Sequence, residues 1–211
     1  MLHIIDQINL TAEHDKRSST FLRPDNSLNS GVLYKMLKAR RHEDNPRANF
    51  VWKSLAPPRV QLFLWLLTQR RIQCRLVLLR KGIVDSGICE ICNAADESPE
   101  HIIHGCSHGR GVWTSLNLLS MISVDMNDLH SVQAHSSNPL PELASFVALI
   151  CWQIWKARNA KIFRNEMKTV SQVLQECLSD ANLWKHRLPT RKKPVIDQWC
   201  SILVMAREGL G

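Results

Sequence analysis

Three cysteines and one histidine lie close together near the middle of the sequence: Cys89, Cys92, His101 and Cys106, with the spacing C-x2-C-x8-H-x4-C. Two cysteines separated by two residues form a tight loop that offers both thiolates to one ion. The histidine and the last cysteine complete a tetrahedral set of three sulfurs and one nitrogen, which suits Zn2+. Four protein ligands leave no open coordination position, so the sequence predicts a structural Zn2+ site.

His104 is the competing ligand, because it lies one helical turn after His101. We favour His101, since His104 is only two residues from Cys106 and the chelate ring would be strained. Residues 98–100, Ser-Pro-Glu, have the pattern of a helix start and would place His101 in the first turn. Three free cysteines with a surface histidine are the alternative, but the spacings fall within structural-zinc ranges. His108 is predicted to be solvated.

A second candidate site is a basic stretch. The chain has 27 Lys and Arg against 19 Asp and Glu, a net charge of +8, and residues 45–84 contain no acid. A field of this sign favours a phosphate backbone, so RNA or DNA is the expected partner, with a solvated basic face as the alternative. The candidate phosphate contacts are Arg59, Arg70, Arg71, Arg75, Arg80 and Lys81. Trp52, Trp65 and Trp113 are expected in the core, which favours sequence-tolerant contacts to the backbone.

Apolar residues recur at helical spacing along much of the chain, so the predicted fold class is mainly α. A small helical zinc-binding module is followed by an amphipathic helical C-terminal region. Thr169 is the predicted N-cap of one of its helices, and Gly82 the left-handed end of a short helix that begins near Cys74. The predicted organisation is a polar lead-in with a short helix at 1–48, the zinc module at 49–116, a linker at 117–141 and the helical region at 142–211.

Composition excludes several classes of protein. The longest apolar run is far shorter than a membrane span requires, and the N-terminus lacks the pattern of a secretory leader, so no membrane partner is expected. Seven cysteines, an odd number with one tight cluster, favour a metal site over a disulfide framework. We therefore expect an intracellular, reducing compartment, either nucleus or cytoplasm.

Longer motifs surround the metal ligands. Residues 50–65 read Phe-Val-Trp-Lys-Ser-Leu-Ala-Pro-Pro-Arg-Val-Gln-Leu-Phe-Leu-Trp, and residues 71–83 read Arg-Ile-Gln-Cys-Arg-Leu-Val-Leu-Leu-Arg-Lys-Gly-Ile. They precede Cys89-x2-Cys92 and Glu97-Ser98-x2-His101-Ile-Ile-x2-Cys106, with Trp113 beyond. Together these motifs resemble the reverse-transcriptase zinc-binding domain of plant LINE-type (non-LTR) retrotransposons, over about residues 15–165. Residues 152–163 are similar to the segment that often joins this domain to a ribonuclease H domain.

The resemblance implies a C-terminal part of a retroelement polyprotein that helps to hold template RNA or target DNA. The chain has no paired-aspartate polymerase motif, and its acids after Phe163 are scattered without the strand context of ribonuclease H. We therefore predict that it is not an enzyme by itself. Two alternatives are a protein–protein interaction module, with a purely structural zinc and a partner bound by helices within 142–187, and a decayed retroelement remnant.

The sequence departs from the family pattern at a few positions. Gln73 and Cys74 stand where Pro-Thr is usual, so the predicted short helix after them loses its expected N-cap. Glu90 replaces a common proline, and His104 replaces an aromatic residue. None of these changes touches a predicted zinc ligand.

Overall fold

Helices provide the regular secondary structure of residues 20–25, 27–40, 45–122, 125–133 and 142–210, which are the residues that the computed structural model describes. Within those ranges the extended pairings are two isolated β-bridges, so the mainly α prediction is confirmed. The chain divides between residues 44 and 45 into two units. The limits predicted for the zinc module and the C-terminal region stay predictions.

Among the described residues of the first unit, 20–25 and 27–40, the helix is α1 (Ser30–Arg40). A tight turn precedes it, in which Leu22 and Leu28 form an antiparallel bridge. The side chain of Asn29 accepts a hydrogen bond from the amide of Val32 at 3.2 Å and so caps the helix. The short helix expected in the lead-in is therefore present.

The second unit begins with three short helices. They are α2 (Pro46–Trp52), α3 (Pro58–Thr68) and α4 (Arg75–Arg80). The Asn45 side chain caps α2 by accepting from the amide of Ala48 at 3.0 Å, and Pro58 opens α3 at its first position. Gly82 follows α4 with a φ of 66°, so the predicted left-handed end is confirmed.

A π-helical turn (His101–Gly105) leads directly into α5 (Ser107–Ser115). Two 3-10 segments follow, Leu119–Met121 and Met126–Gln133. We expected 117–141 to be a polar linker, of which residues 123–124 and 134–141 lie outside the described residues. Within the described part, Met126, Leu129 and Val132 are buried in the core at a three-residue spacing. The reason is that a 3-10 segment places residues i and i+3 on the same side, so three apolar side chains suffice to anchor an otherwise polar stretch.

The C-terminal region consists of three longer helices, α6 (Leu143–Arg164), α7 (Val170–Arg187) and α8 (Lys193–Glu208). A full capping box confirms Thr169 as the N-cap of α7. The first nine residues of α6 are buried on every side, so that half of the helix is a core helix and not an amphipathic one. In the described part of the chain, none of the helices has the length and apolar character needed to cross a membrane.

Candidate metal centre

The first two cysteines lie in a tight loop closed by backbone hydrogen bonds. Ile88 and Asp96 pair as an antiparallel bridge, and the amide of Cys89 donates to the carbonyl of Ala95 at 2.9 Å. The amide of Asn93 donates to the carbonyl of Cys89 at 2.9 Å, and Asn93 has a φ of 52°, a conformation that asparagine tolerates better than most residues. The loop therefore turns both thiols to the same side.

The other two ligands come from the π-helical turn. Ser98 accepts a hydrogen bond from the amide of His101 at 3.0 Å through its hydroxyl oxygen, as expected for a helix start. The amide of Cys106 donates to the carbonyl of His101 at 2.6 Å, across five residues. This wide turn brings the backbone of Cys106 close to that of His101, and Cys106 is also the residue from which α5 begins.

The ligand atoms of Cys89, Cys92, His101 and Cys106 all lie within 4.8 Å of one another. The Sγ atoms of Cys89 and Cys106 are 4.0 Å apart, and Cys92 Sγ is 3.3 Å from His101 Nε2. In a tetrahedral zinc site with bonds of ordinary length, the ligand atoms are about 3.5–3.8 Å from one another, so the arrangement of these four residues fits Zn2+. His104 is not part of this group, and its burial, together with nearby Arg110, lowers the pKa of its imidazole.

The pKa values of the two buried thiols shift in opposite directions. The contact with Cys106 and burial raise the pKa of Cys89 to about 12. The same contact lowers the pKa of Cys106, and backbone amides of His108 and Gly109 at the start of α5 act in the same direction. Amides directed at a sulfur stabilise its thiolate form, which is the form that binds a metal.

A buried ion pair joins the segment after the metal loop to α6. Glu97 is fully buried and binds Arg158 of α6, which is 3% exposed, with the Arg158 Nε to Glu97 Oε2 distance at 3.0 Å. A second guanidinium nitrogen of Arg158 donates to Oε1. That oxygen also accepts from the amide of Arg75 at 2.8 Å. Glu97 thus supplies, from outside the helix, the cap that Gln73 and Cys74 do not provide for α4.

Sequence reasoning missed this pair, because Glu97 and Arg158 are 61 residues apart. No local spacing relates them. The sequence offered one indirect sign, the missing N-cap before α4, because the first amides of a helix without its own N-cap need another partner.

His108 was predicted to be solvated, and this prediction is wrong. The residue is buried in the first turn of α5, and its Nε2 lies 2.7 Å from the carbonyl oxygen of Lys168. Gly109 follows it where α5 passes close to the π-helical turn, since a Cβ there would come within 2.7 Å of the Ile102 carbonyl oxygen. The close packing of α5 on this turn leaves His108 only 9% exposed.

The six candidate phosphate contacts fall into two groups. Arg70 binds Glu100 at 2.6 Å and Asp125 at 3.2 Å, and Arg75 binds Glu90 in the metal loop. The other four, Arg59, Arg71, Arg80 and Lys81, are exposed. Residues 45–84 contain no acid, but acids of neighbouring segments (Glu90, Glu100 and Asp125) pair with two of their arginines.

The three tryptophans expected in the core have different environments. Trp113 is fully buried, and its Nε1 donates to the carbonyl of Ile103 at 2.8 Å. Trp65 is partly buried against the core. Trp52 is 49% exposed, so for this residue the expectation is wrong. Its position as the last residue of α2, after the buried Phe50 and Val51, turns it away from the core.

The fold and the site together define a helical module with a Cys3His metal centre. Residues 29–113 match the family described as zinc-binding in reverse transcriptase. The chain is also 24% identical over 182 residues to a protein of Arabidopsis thaliana named "Putative ribonuclease H protein". That alignment covers 78% of this chain and 28% of the relative, so the chain spans less than a third of that protein's length. No solved structure matches the chain.

Proposed function

We propose that this chain is a nucleic-acid-binding module built around a structural zinc ion. The observation that carries the proposal is the attachment of a basic helix to a four-ligand metal loop. Arg75 of α4 binds Glu90 of the loop through its side chain, and its amide binds Glu97. Zinc would fix the loop, and the loop in turn would fix the helix that presents Arg80 and Lys81 to solvent.

The division of the basic residues indicates which of them would contact phosphates. Arg70 and Arg75 already neutralise acids of the protein, so a phosphate would have to displace a carboxylate from them. Arg59, Arg71, Arg80 and Lys81 are exposed, and the ion pairs found among the described residues involve none of these four. We assign the main phosphate contacts to these four residues.

We further propose that the module has no catalytic activity of its own. Three thiolates and one imidazole fill a tetrahedral zinc and leave no position for water or substrate. Two acids of α7 and α8 bind separate cations and do not form a paired site of the kind a nuclease needs: Glu176 binds Lys168, and Asp197 binds Lys185. Asp180 contacts Gln153 and Lys156.

A retroelement origin and a reducing, intracellular compartment complete the proposal. The matched family concerns reverse transcriptase, and the Arabidopsis relative is several times longer than this chain, which suits a segment of a polyprotein. All seven cysteines are free thiols, and five of the seven are buried without forming disulfides. Such thiols persist where the environment is reducing.

A protein-interaction module is the second candidate, and one observation favours it. Leu183 on α7 and Met205 on α8 are each 62% exposed, so both helices offer a large apolar side chain that a protein partner would cover. Most of α6 is buried, so a protein partner would contact α7 and α8 instead of the whole 142–187 region that the sequence suggested.

Salt dependence of nucleic-acid binding tests the leading proposal. Replacing Arg71, Arg80 and Lys81 by glutamine should weaken binding to unrelated RNA and DNA sequences by similar factors. Each lost phosphate contact should also reduce the slope of log K against log salt by about 0.9 for duplex DNA. The matched control replaces Arg187, Arg191 and Lys193 by glutamine, which removes the same charge from the C-terminal region.

Equal losses in the two triple variants would mean diffuse attraction and would refute the assigned contacts. Absence of binding by the unaltered protein at low salt would refute nucleic-acid binding itself and favour the interaction module.

A further inference from the structure

The exposed tryptophan at the end of α2 packs against a second tryptophan. The ring of Trp52 lies 5.9 Å from that of Trp65 on α3, at an interplanar angle of 38°. Trp65 is packed against the core, whereas Trp52 keeps about half of its surface in solvent. One part of the Trp52 ring is therefore held by an aromatic neighbour while the rest is available to a ligand.

Hydrogen bonds fix the backbone just after Trp52, and the contact with Trp65 positions the ring itself. The amide of Leu55 donates to the hydroxyl of Ser145 on α6 at 2.8 Å. The side chain of Gln61 on α3 donates to the carbonyl of Ser54 at 3.1 Å. A preorganised aromatic ring loses little conformational entropy on binding.

The charged residues that follow Trp52 in the sequence are positive. Lys53 comes directly after Trp52 and Arg59 lies near the start of α3, and both are exposed. Arg59 lies over the ring of Trp152, 6.0 Å from its centroid, and no ion pair among the described residues involves Lys53 or Arg59. Because residues 45–84 contain no acid, Trp52 belongs to a segment whose own residues do not neutralise these two cations.

A stacking ring with adjacent cations is the combination by which proteins hold single-stranded nucleic acids. We infer that Trp52 is a stacking platform for an unpaired base of a single-stranded nucleic acid, with Lys53 and Arg59 contacting the neighbouring phosphates. This inference rests on the proposed function and specifies its substrate class. A duplex keeps its bases stacked on one another and offers the ring only its backbone.

The alternative is that the exposed surface around Trp52 is an apolar patch that binds a protein. Leu62 is 53% exposed on α3, one helical turn before Trp65. A protein partner would bury Leu62 as well as Trp52, whereas a stacked base needs the aromatic ring alone. Leu62→Ala is therefore a matched control for Trp52→Ala.

The experiment compares two probes of equal length and charge: a short oligothymidylate, and an oligomer of the same backbone that lacks bases. The unaltered protein should bind the oligothymidylate roughly tenfold more tightly, within the range of one stacked base. Trp52→Ala should remove that difference and leave binding to the abasic oligomer unchanged. Trp52→Phe should keep most of the difference, and Leu62→Ala should keep all of it.

Three results would overturn the platform. One is equal binding of the two probes by the unaltered protein, and another is an equal loss for both probes in Trp52→Ala. The third is a loss in Leu62→Ala as large as that in Trp52→Ala, which would indicate a docking surface for a protein. In these cases the salt slope of the Arg71, Arg80 and Lys81 variant still decides the proposed function, whereas failure to bind either probe at low salt overturns both.

Discussion

Two histidines one helical turn apart are candidates for the fourth metal ligand. His101 points its Nε2 at Cys92 Sγ from a distance of 3.3 Å, while His104 lies outside the group of ligand atoms. The backbone explains the difference, because the hydrogen bond from Cys106 to the His101 carbonyl closes the turn on the His101 side. The spacing in the sequence favoured the same histidine.

We predict one zinc ion per chain, held by His101 and not by His104. Metal analysis of protein purified without added zinc should give a ratio near one. His101→Ala should lose the metal, since removal of one of four ligands opens the site to water and chelators. His104→Ala, the matched control, should retain it. Zinc release by the His104 variant would contradict the ligand assignment.

Three elements meet at a single carboxylate. Glu97 belongs to the segment between the metal loop and the π-helical turn, caps α4 through the amide of Arg75, and binds Arg158 in the middle of α6. Removing one partner of a buried ion pair leaves an uncompensated charge, which is the costly outcome, whereas the intact pair can be close to neutral. The pair therefore acts mainly by fixing the position of α4 and the metal loop on α6.

Arg158→Met should lower the free energy of unfolding of the zinc-loaded protein by about 3–5 kcal/mol, because Glu97 then stays buried without its cation. Denaturation by urea measures this change. The control is Arg164→Met, which breaks an exposed pair with Glu166 and should cost less than about 1 kcal/mol.

Adding Glu97→Gln to Arg158→Met should recover part of the loss, since a neutral amide can still accept from the Arg75 amide. A double variant that loses the full sum of the two single changes would mean that the two residues act independently.

The elements with local signals could be predicted from the sequence, and those without could not. Thr169, Pro58 and Gly82 mark helix ends by their own chemistry, and the structure has helix ends at all three. The 3-10 segment Met126–Gln133 was missed because its apolar residues are few and lie in a polar stretch. The cap supplied by Glu97 was missed because it depends on the tertiary fold.

At the scale of the whole molecule, the metal loop and the helical core have different sources of stability. The loop around Cys89 and Cys92 is closed by one β-bridge, a few backbone hydrogen bonds and the ion pair of Glu90 with Arg75, and it carries two of the four candidate metal ligands. Cys151 on α6 and Cys177 on α7 lie instead in a continuous apolar core that includes Ile102 and Ile103 of the π-helical turn. Loss of the metal should therefore open the loop and leave the core helices folded.

Chelation of zinc should expose the thiols of Cys89, Cys92 and Cys106 to alkylation and raise hydrogen exchange across residues 87–101. Cys151 and Cys177 should stay unreactive, because full burial raises the pKa of each thiol. Mass spectrometry of alkylated peptides measures both groups, with a sample treated with zinc-saturated chelator as control. Labelling of Cys151 and Cys177 after chelation would show that the metal supports the whole fold.

Helix α6 contacts residues in the first half of the chain, and these contacts determine how much of the coding sequence must stay together. Ser145 accepts a hydrogen bond from Leu55 in the loop after α2, and Arg158 binds Glu97 beside the metal loop. Both α6 residues lie beyond residues 29–113, which match the family described as zinc-binding in reverse transcriptase. A rearrangement that copied only the matched codons would separate Glu97 from its cation and Leu55 from its acceptor. The shortest segment that recombination could transfer as a working unit therefore extends through the codons of α6.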